Sequence, residues 1–354
     1  MVDTITIKKP FDAHVHLRRG AVLRAVTKYS AERFDKAIVM PNTEPPIDTL
    51  DAAIEYKNEI LAALPSDPPA GGFEPLMTLY LTKNLTPDEI ARSAVGAEGT
   101  KIYGVKYYPY GATTNSQWGY RDILEAKDVL KEMERAHMPL MLHGEVHIDS
   151  HEHEVDPYEG ERRFIEDVFP RLLETCPDLQ ISLEHMSTRV AADFMEKNGR
   201  EGQLVATVTP HHLMYAREDI EHEPLLRCKP LIKSRTDRDA VRALAARGLP
   251  FISAGTDSAP HPEQKKLTPP GAYGVFSAPE AVELYTEVFD ALHALDKLEG
   301  FLSLHGPHFF GVEPSSETIT LERREWSAEP VLCDDGIRVI PMTGNTPIHW
   351  RIRS

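Results

Sequence analysis

Two histidines separated by one residue, His14-Val15-His16, close an apolar run that begins at Phe11. Alternate side chains of an extended strand point to one side, so both imidazoles can converge on a single metal ion. Taken alone, such a pair is a weak signal and more often describes a polar strand end. Other apolar runs finish in the same way. Lys106 stands in Val105-Lys106-Tyr107-Tyr108, His143 in Leu142-His143-Gly144-Glu145, His185 in Leu183-Glu184-His185-Met186, and Asp257 in Ala254-Gly255-Thr256-Asp257-Ser258. Imidazole and carboxylate groups suit zinc or a similar divalent ion. The lysine fits such a site poorly as an ammonium, because like charges repel, and a lysine in an apolar run ordinarily snorkels or pairs with an anion. A carbamate on its amine would turn it into a bidentate anionic ligand.

These residues can meet only if their runs are strands that end at one place. Eight runs qualify: Phe11–His16, Ala37–Met40, Leu76–Leu81, Ile102–Lys106, Leu140–His143, Gln180–Glu184, Leu204–Val208 and Phe251–Ala254. Short apolar runs bounded by turn residues are the pattern of buried parallel strands. Helical signals lie between them. Thr86-Pro87-Asp88-Glu89 offers an N-cap, a first-turn proline and a capping-box glutamate. Helical spacing also runs through Tyr120–Ala136, Asp51–Ala63, Tyr158–Leu173, Arg189–Lys197 and Arg235–Arg247. Ser277-x-x-Glu280 reads as a second capping box, opening a helix through about Leu295. Strands alternating with helices point to an α/β fold, a (β/α)8 TIM barrel. An open doubly wound sheet is the other arrangement, but no GxGxxG follows the first strand. In a closed barrel the C-terminal strand ends share one mouth, so four histidines, an aspartate and a lysine would meet across about 240 residues of chain. Residues from about 313 to 354, with extended stretches such as Gly336–Pro341, read as a tail packed on a barrel of about 5–312. The expectation is one domain over 1–354.

Composition narrows the function classes. Of 354 residues, 39 are Lys or Arg and 55 are Asp or Glu, so 39 − 55 gives a formal net charge of −16. That balance argues against a nucleic-acid binder, whose affinity comes from clustered cations. The 3 cysteines, without CxxC spacing, read as thiols of a reducing compartment. No apolar run approaches the roughly 18–20 residues of a membrane span, and the N-terminus lacks an apolar signal region. A soluble cytoplasmic enzyme is expected. The 16 histidines are more than structure alone requires.

The ordered segments DAHVHLR, VMPNTEPP, GVKYYP, LHGE, LEHMST and GTDSAPH resemble the amidohydrolase superfamily and, within it, the compact monofunctional dihydroorotases, over about residues 5–312. The resemblance implies a (β/α)8 barrel holding two zinc ions bridged by a carboxylated lysine and a hydroxide. It assigns His14, His16 and Asp257 to one ion and His143 and His185 to the other. Lys106, as N6-carboxylysine, bridges both. The implied reaction is reversible ring closure of N-carbamoyl-L-aspartate to L-dihydroorotate plus water, the third step of pyrimidine (UMP) synthesis, with Asp257 moving the proton. Arg18, two residues beyond His16 and on the same strand face, can fork onto a carboxylate. Asn42 and His261 complete the family's carboxylate site. Pro109–Gly119 reads as a lid, with Thr113 and Thr114 touching substrate. Lys229 stands where relatives can carry an apolar residue, its contact being through the backbone. The loop Pro269–Gly274 differs from the small, cysteine-rich family versions, and its backbone contact is assigned to Tyr273. The family implies a homodimer.

The other histidines receive plainer readings. His147, His151 and His153 belong to a solvated loop, His211 and His212 follow the seventh strand at the barrel mouth and can support the site, and His305 and His308 are structural. Two further functions compete. A hydantoinase or allantoinase would share the metal residues, but Arg18, Asn42 and His261 favour a substrate with an α-carboxylate. A non-catalytic barrel kept as a scaffold would be expected to lose ligands, and none is lost.

Overall fold

The computed structural model describes residues 3–66, 72–220 and 223–353. After β1 (Thr4–Lys8), eight parallel strands pair strictly in chain order. They are β2 (Phe11–Val15), β3 (Lys36–Val39), β4 (Glu74–Tyr80), β5 (Ile102–Tyr107), β6 (Leu140–Leu142), β7 (Ile181–Leu183), β8 (Leu204–Val208) and β9 (Ile252–Ala254). The Asp257 N–H donates to His14 O at 2.8 Å and the His16 N–H to Ser258 O at 2.9 Å, joining the last strand end to the first. Strands β2, β6, β7, β8 and β9 are buried along their whole length. Helices cover their outer side and residues fill the inside, which is why their sequences are apolar without alternation. All eight expected strands are present, and the fold is a TIM barrel.

Local signals placed most helices. Thr86 caps the helix Pro87–Val95 by accepting from the Glu89 N–H at 3.2 Å. The reciprocal half of that box is missing, because Glu89 Oε1 instead accepts from the Leu50 N–H at 2.7 Å and ties two helices together. The Tyr120–Ala136 region begins as a 3-10 turn, Ile123–Ala126, with a full box between Asp122 and Glu125. The Tyr158–Leu173 region is interrupted by a wide turn, Phe164–Val168, just before Pro170, which has no N–H to continue the ladder.

Two elements differ from the sequence reading. Ser277 does not cap a helix; its hydroxyl donates to Thr256 O, and the helix Ala281–Ala291 starts only after Glu280. The Glu280 carboxylate accepts from Thr343 through its N–H at 3.0 Å and its hydroxyl at 2.7 Å. A tertiary partner has displaced the local one. The helix Gly20–Arg33 had no start signal, because its N-cap is Arg19 and makes no side-chain cap bond.

Past the barrel, β10 (Thr318–Trp326) pairs antiparallel with β1 and with β13 (Ile348–Ile352). Between them β11 (Val331–Leu332) and β12 (Arg338–Val339), the latter inside the expected extended stretch, form a two-stranded ribbon. Trp350 is 1% exposed, its indole N–H reaches Asp290 Oδ2 at 3.3 Å, and the Arg323 guanidinium lies 4.7 Å from its ring centre. Removing a buried ring of this size leaves a cavity, so Trp350→Ala is expected to cost about 3–5 kcal/mol in chemical denaturation. An unchanged denaturation midpoint would show that this sheet contributes nothing to barrel stability. Among the described residues all three cysteines are free and buried, and no helix is long and apolar enough to cross a membrane.

Candidate active site

Parallel strands bring their C-terminal ends to one side, and the chemistry collects there. His14 Nε2 lies 3.2 Å from His16 Nε2 and 3.3 Å from Asp257 Oδ1, while His16 Nε2 lies 3.1 Å from the same oxygen. The far nitrogens are held from behind: His14 Nδ1 by Glu184 Oε2 at 2.6 Å, and His16 Nδ1 by Asn42 Oδ1 at 2.8 Å. His143 turns Nε2 to Glu145 Oε2 at 2.9 Å, and its ring centre is 4.7 Å from that of His185. Lys106 is fully buried and its Nζ has no hydrogen-bond partner among the described residues; the same holds for His185 Nδ1.

Such orphaned groups are costly unless something satisfies them. Ligand atoms of His14, His185 and Asp257 lie within 4.8 Å of one another, all buried. Imidazole nitrogens turned on one carboxylate oxygen, with an unpartnered amine beside them, fit a divalent metal centre.

The electrostatics agree with close packing of these groups. Burial pushes the Asp257 carboxyl upward, but His14 and His16 more than offset it and hold the group well below its ordinary value. Burial lowers His16 to about 4 and, with Lys106 nearby, takes His185 far down. Burial also lowers Lys106 to about 8, despite the opposing pull of Glu184 and Asp257. Glu145 is driven up by burial and further down by Lys233 and His143, to about 2.

Backbone shape contributes as well. Arg18, His185 and Asp257 have φ of 64°, 44° and 45°, in the left-handed region that costs a non-glycine residue roughly 1–3 kcal/mol. The sequence reading placed Arg18 on the strand face of His16. The structure corrects the route: β2 has ended, and a left-handed turn aims the guanidinium inward while Pro260 O takes its Nε at 3.0 Å.

One cavity is lined by His14, His16, Arg18, Asn42, Tyr108, Thr113, Thr114, His143, His185, Lys229, Asp257 and Tyr273. Lys106 and His261 are outside that lining. The Lys106 amine lies 5.4 Å from the Tyr108 ring centre. His261 Nε2 is 3.1 Å from Arg18 Nη2 and 2.8 Å from Tyr273 O. The Pro109–Gly119 segment lies across the mouth. Thr114 O accepts from Asn42 Nδ2 at 2.9 Å, and the Thr114 hydroxyl donates to Tyr273 O at 3.2 Å.

Sequence reasoning missed Tyr108 in the lining and the residues behind it: Glu184, Glu145, Lys233 and Asn115. The only available signal was a carboxylate beside a histidine in Glu184-His185 and His143-Gly144-Glu145. His211, His212 and Cys228 also have ligand atoms within 4.8 Å of one another. There His212 is already bonded to Thr209 and Pro230 O, and the Cys228 thiol donates to that same carbonyl. His153 is exposed beside Asp149, and His305 Nδ1 meets Ile252 O at 2.9 Å, as the plainer readings expected. A larger cavity of about 490 Å³ lies beside Arg121, Arg163 and Arg171, but each of these arginines already pairs with a carboxylate.

No family model matches the chain. A dihydroorotase of Cupriavidus necator is 43% identical over 357 residues, covering 100% of both chains. The crystal structure of dihydroorotase from Saccharomyces cerevisiae in complex with 5-fluoroorotic acid superposes with a TM-score of 0.89 at 33% identity, covering 99% of each chain. An L-hydantoinase of Arthrobacter aurescens reaches 0.80 at only 15% identity, covering 99% of this chain and 83% of its own, which is likeness of fold alone. Sequence identity along the whole length, on a barrel whose strand ends carry residues suited to a metal, decides the matter: the chain belongs to the dihydroorotase family of the amidohydrolase superfamily.

Proposed function

We infer that this chain is a hydrolase acting on a cyclic amide, a zinc-dependent dihydroorotase that interconverts N-carbamoyl-L-aspartate and L-dihydroorotate in pyrimidine synthesis. The observation that carries the reading is the Arg18 guanidinium opening into the same small cavity as His14, His16, His185 and Asp257. A cation for a carboxylate stands beside a cluster suited to metal. The donor set fits two zinc ions: His14, His16 and Asp257 would hold one and His143 and His185 the other, with Lys106, once carboxylated, as a further anionic ligand. Bound there, the ions would polarise the scissile carbonyl and lower the pKa of the attacking water.

The chain's own residues supply the rest. Glu184 on His14 Nδ1 and Glu145 on His143 Nε2 fix each ring and its tautomer, leaving the opposite nitrogen for the ion. Burial lowers Lys106 to about 8, so more of its amine is uncharged at neutral pH than on an exposed lysine, and only the uncharged amine adds carbon dioxide. In hydrolysis Asp257 takes the proton of the attacking water and delivers it to the ring nitrogen as the C–N bond breaks. In synthesis it takes the ureido proton and water leaves. Arg18, braced by Pro260 O, Asn42 and His261 receive the substrate carboxylate, while Thr113, Thr114 and the backbone of Lys229 and Tyr273 close over the ring. The anionic substrate needs no positive protein, only this mouth; the net charge of −16 disfavours nucleic acid. A single-domain chain, assembled as a homodimer in the cytoplasm, completes the proposal on the strength of the family resemblance.

Turnover of dihydroorotate against hydantoin and allantoin tests the reading, and preference for an uncharged ring would sink it. Within the same assay Arg18→Met is expected to raise KM for dihydroorotate about 10- to 100-fold, the loss of a hydrogen bond to a charged group.

A further inference from the structure

Two walls of the cavity come from different loops, and both are gripped by one ammonium. Lys229 belongs to the connection after β8, whereas Tyr273 and Gly274 belong to the one after β9. Lys266 lies beneath them, 5% exposed. Its Nζ donates to Arg227 O at 2.8 Å, to Gly274 O at 2.8 Å and to Ala272 O at 3.1 Å. An ammonium has three N–H donors, and all three are used on backbone carbonyls.

The surrounding contacts pass this grip to the pocket. The Gly274 N–H donates to Arg227 O at 2.9 Å, closing the two segments on each other. The Arg227 guanidinium lies 4.4 Å from the Tyr273 ring centre and donates to its hydroxyl at 2.8 Å. Tyr273 O in turn accepts from His261 Nε2 and from the Thr114 hydroxyl, so its position touches both the Arg18 corner and the segment over the mouth. Gly274, at φ +143°, permits the close approach: a Cβ there would stand 2.5 Å from Ala259 O and 2.9 Å from His261 Cδ2.

We propose that Lys266 is a positioning residue for substrate binding: its ammonium sets the separation of the Arg227–Lys229 and Ala272–Gly274 segments, and thereby the backbone of Lys229 and Tyr273 that meets the cyclic amide. The choice of lysine follows from shape. A pyramidal ammonium can serve three carbonyls converging from two segments, whereas a planar guanidinium fork cannot, and an aliphatic chain offers none of the three a donor. The inference rests on the dihydroorotase reading and deepens it.

The test is the steady-state kinetics of Lys266→Met and Lys266→Arg beside the wild-type holoenzyme, in both directions, with metal content measured on each sample. In both variants KM for dihydroorotate is expected to rise about tenfold or more, with kcat within about threefold and metal content unchanged, the signature of lost binding rather than lost chemistry. A wild-type KM in either variant, or a loss confined to kcat, overturns the proposal. Should Lys266→Met be recovered only unfolded, Lys266→Arg decides by the same two outcomes. A wild-type enzyme inert towards dihydroorotate would remove the parent reading instead, which keeps the two failures apart.

Discussion

Asp257→Ala is expected to lower kcat in both directions by about 10³–10⁴-fold while the barrel stays folded. General acid–base catalysis by a positioned side chain is worth roughly 10²–10⁴ in rate, and this residue has two tasks at once. Its Oδ1 is the atom on which His14 and His16 both converge, at 3.3 and 3.1 Å, and in the proposed reaction it also carries the proton to and from the ring nitrogen. The two histidines hold the carboxyl ionised despite its burial, which is the form a proton acceptor must have. Its backbone φ of 45° is set by the joint between first and last strand, where its N–H meets His14 O at 2.8 Å. Asp257→Asn is the sharper control. Asparagine tolerates the left-handed backbone and keeps the shape, so only charge and basicity are lost. Circular dichroism should show intact folding in both variants. If Asp257→Asn kept more than about one tenth of wild-type kcat, the proton-moving role would be gone, since that is below the least such groups contribute.

Lys106→Met should strip the site of its paired ions and of activity. The side chain is fully buried, finds no hydrogen-bond partner among the described residues, and has its pKa pulled to about 8 by burial. A lysine serving only to fill space would be replaced with advantage by methionine, because the burial cost of an amine disappears. A lysine that becomes an anionic bridge cannot be replaced at all. Plasma mass spectrometry of metal per chain should therefore fall from about two ions to one or fewer, with turnover falling about 10³-fold or more, the scale set by metal-assisted hydrolysis. Short carboxylic acids are expected to restore part of both in Lys106→Ala, by occupying the vacated position. Full metal content and full activity in Lys106→Met would return this residue to ordinary packing.

Much of this centre was legible before any fold was known. The strands were short apolar runs, and His14, His16, Lys106, His143, His185 and Asp257 all stood at or just beyond the ends of such runs. A parallel barrel converts that position along the chain into a position in space. Helix starts were legible where a local bond marks them, as at Thr86. They failed where a distant group won the competition, as at Glu280, which serves Thr343 of the tail instead of Ser277. The helix Gly20–Arg33 failed for the opposite reason, having no capping side chain to read.

What only tertiary structure decided is the set of groups that work from behind. Glu184 orients His14 from 170 residues away, and Lys266 binds carbonyls of two segments, one of them 39 residues distant. Neither role leaves a pattern in the chain, because a glutamate in an apolar run and a lysine in a polar stretch have ordinary readings of their own. By itself the order of residues determined which side chains end the strands, and thus which ones can reach a shared ion. Their tautomers, the left-handed turns at Arg18, His185 and Asp257, and the spacing of the pocket walls depend on hydrogen bonds closed between loops far apart in sequence. Residue type and periodicity record local preference, whereas those bonds exist only once the barrel has brought its ends together.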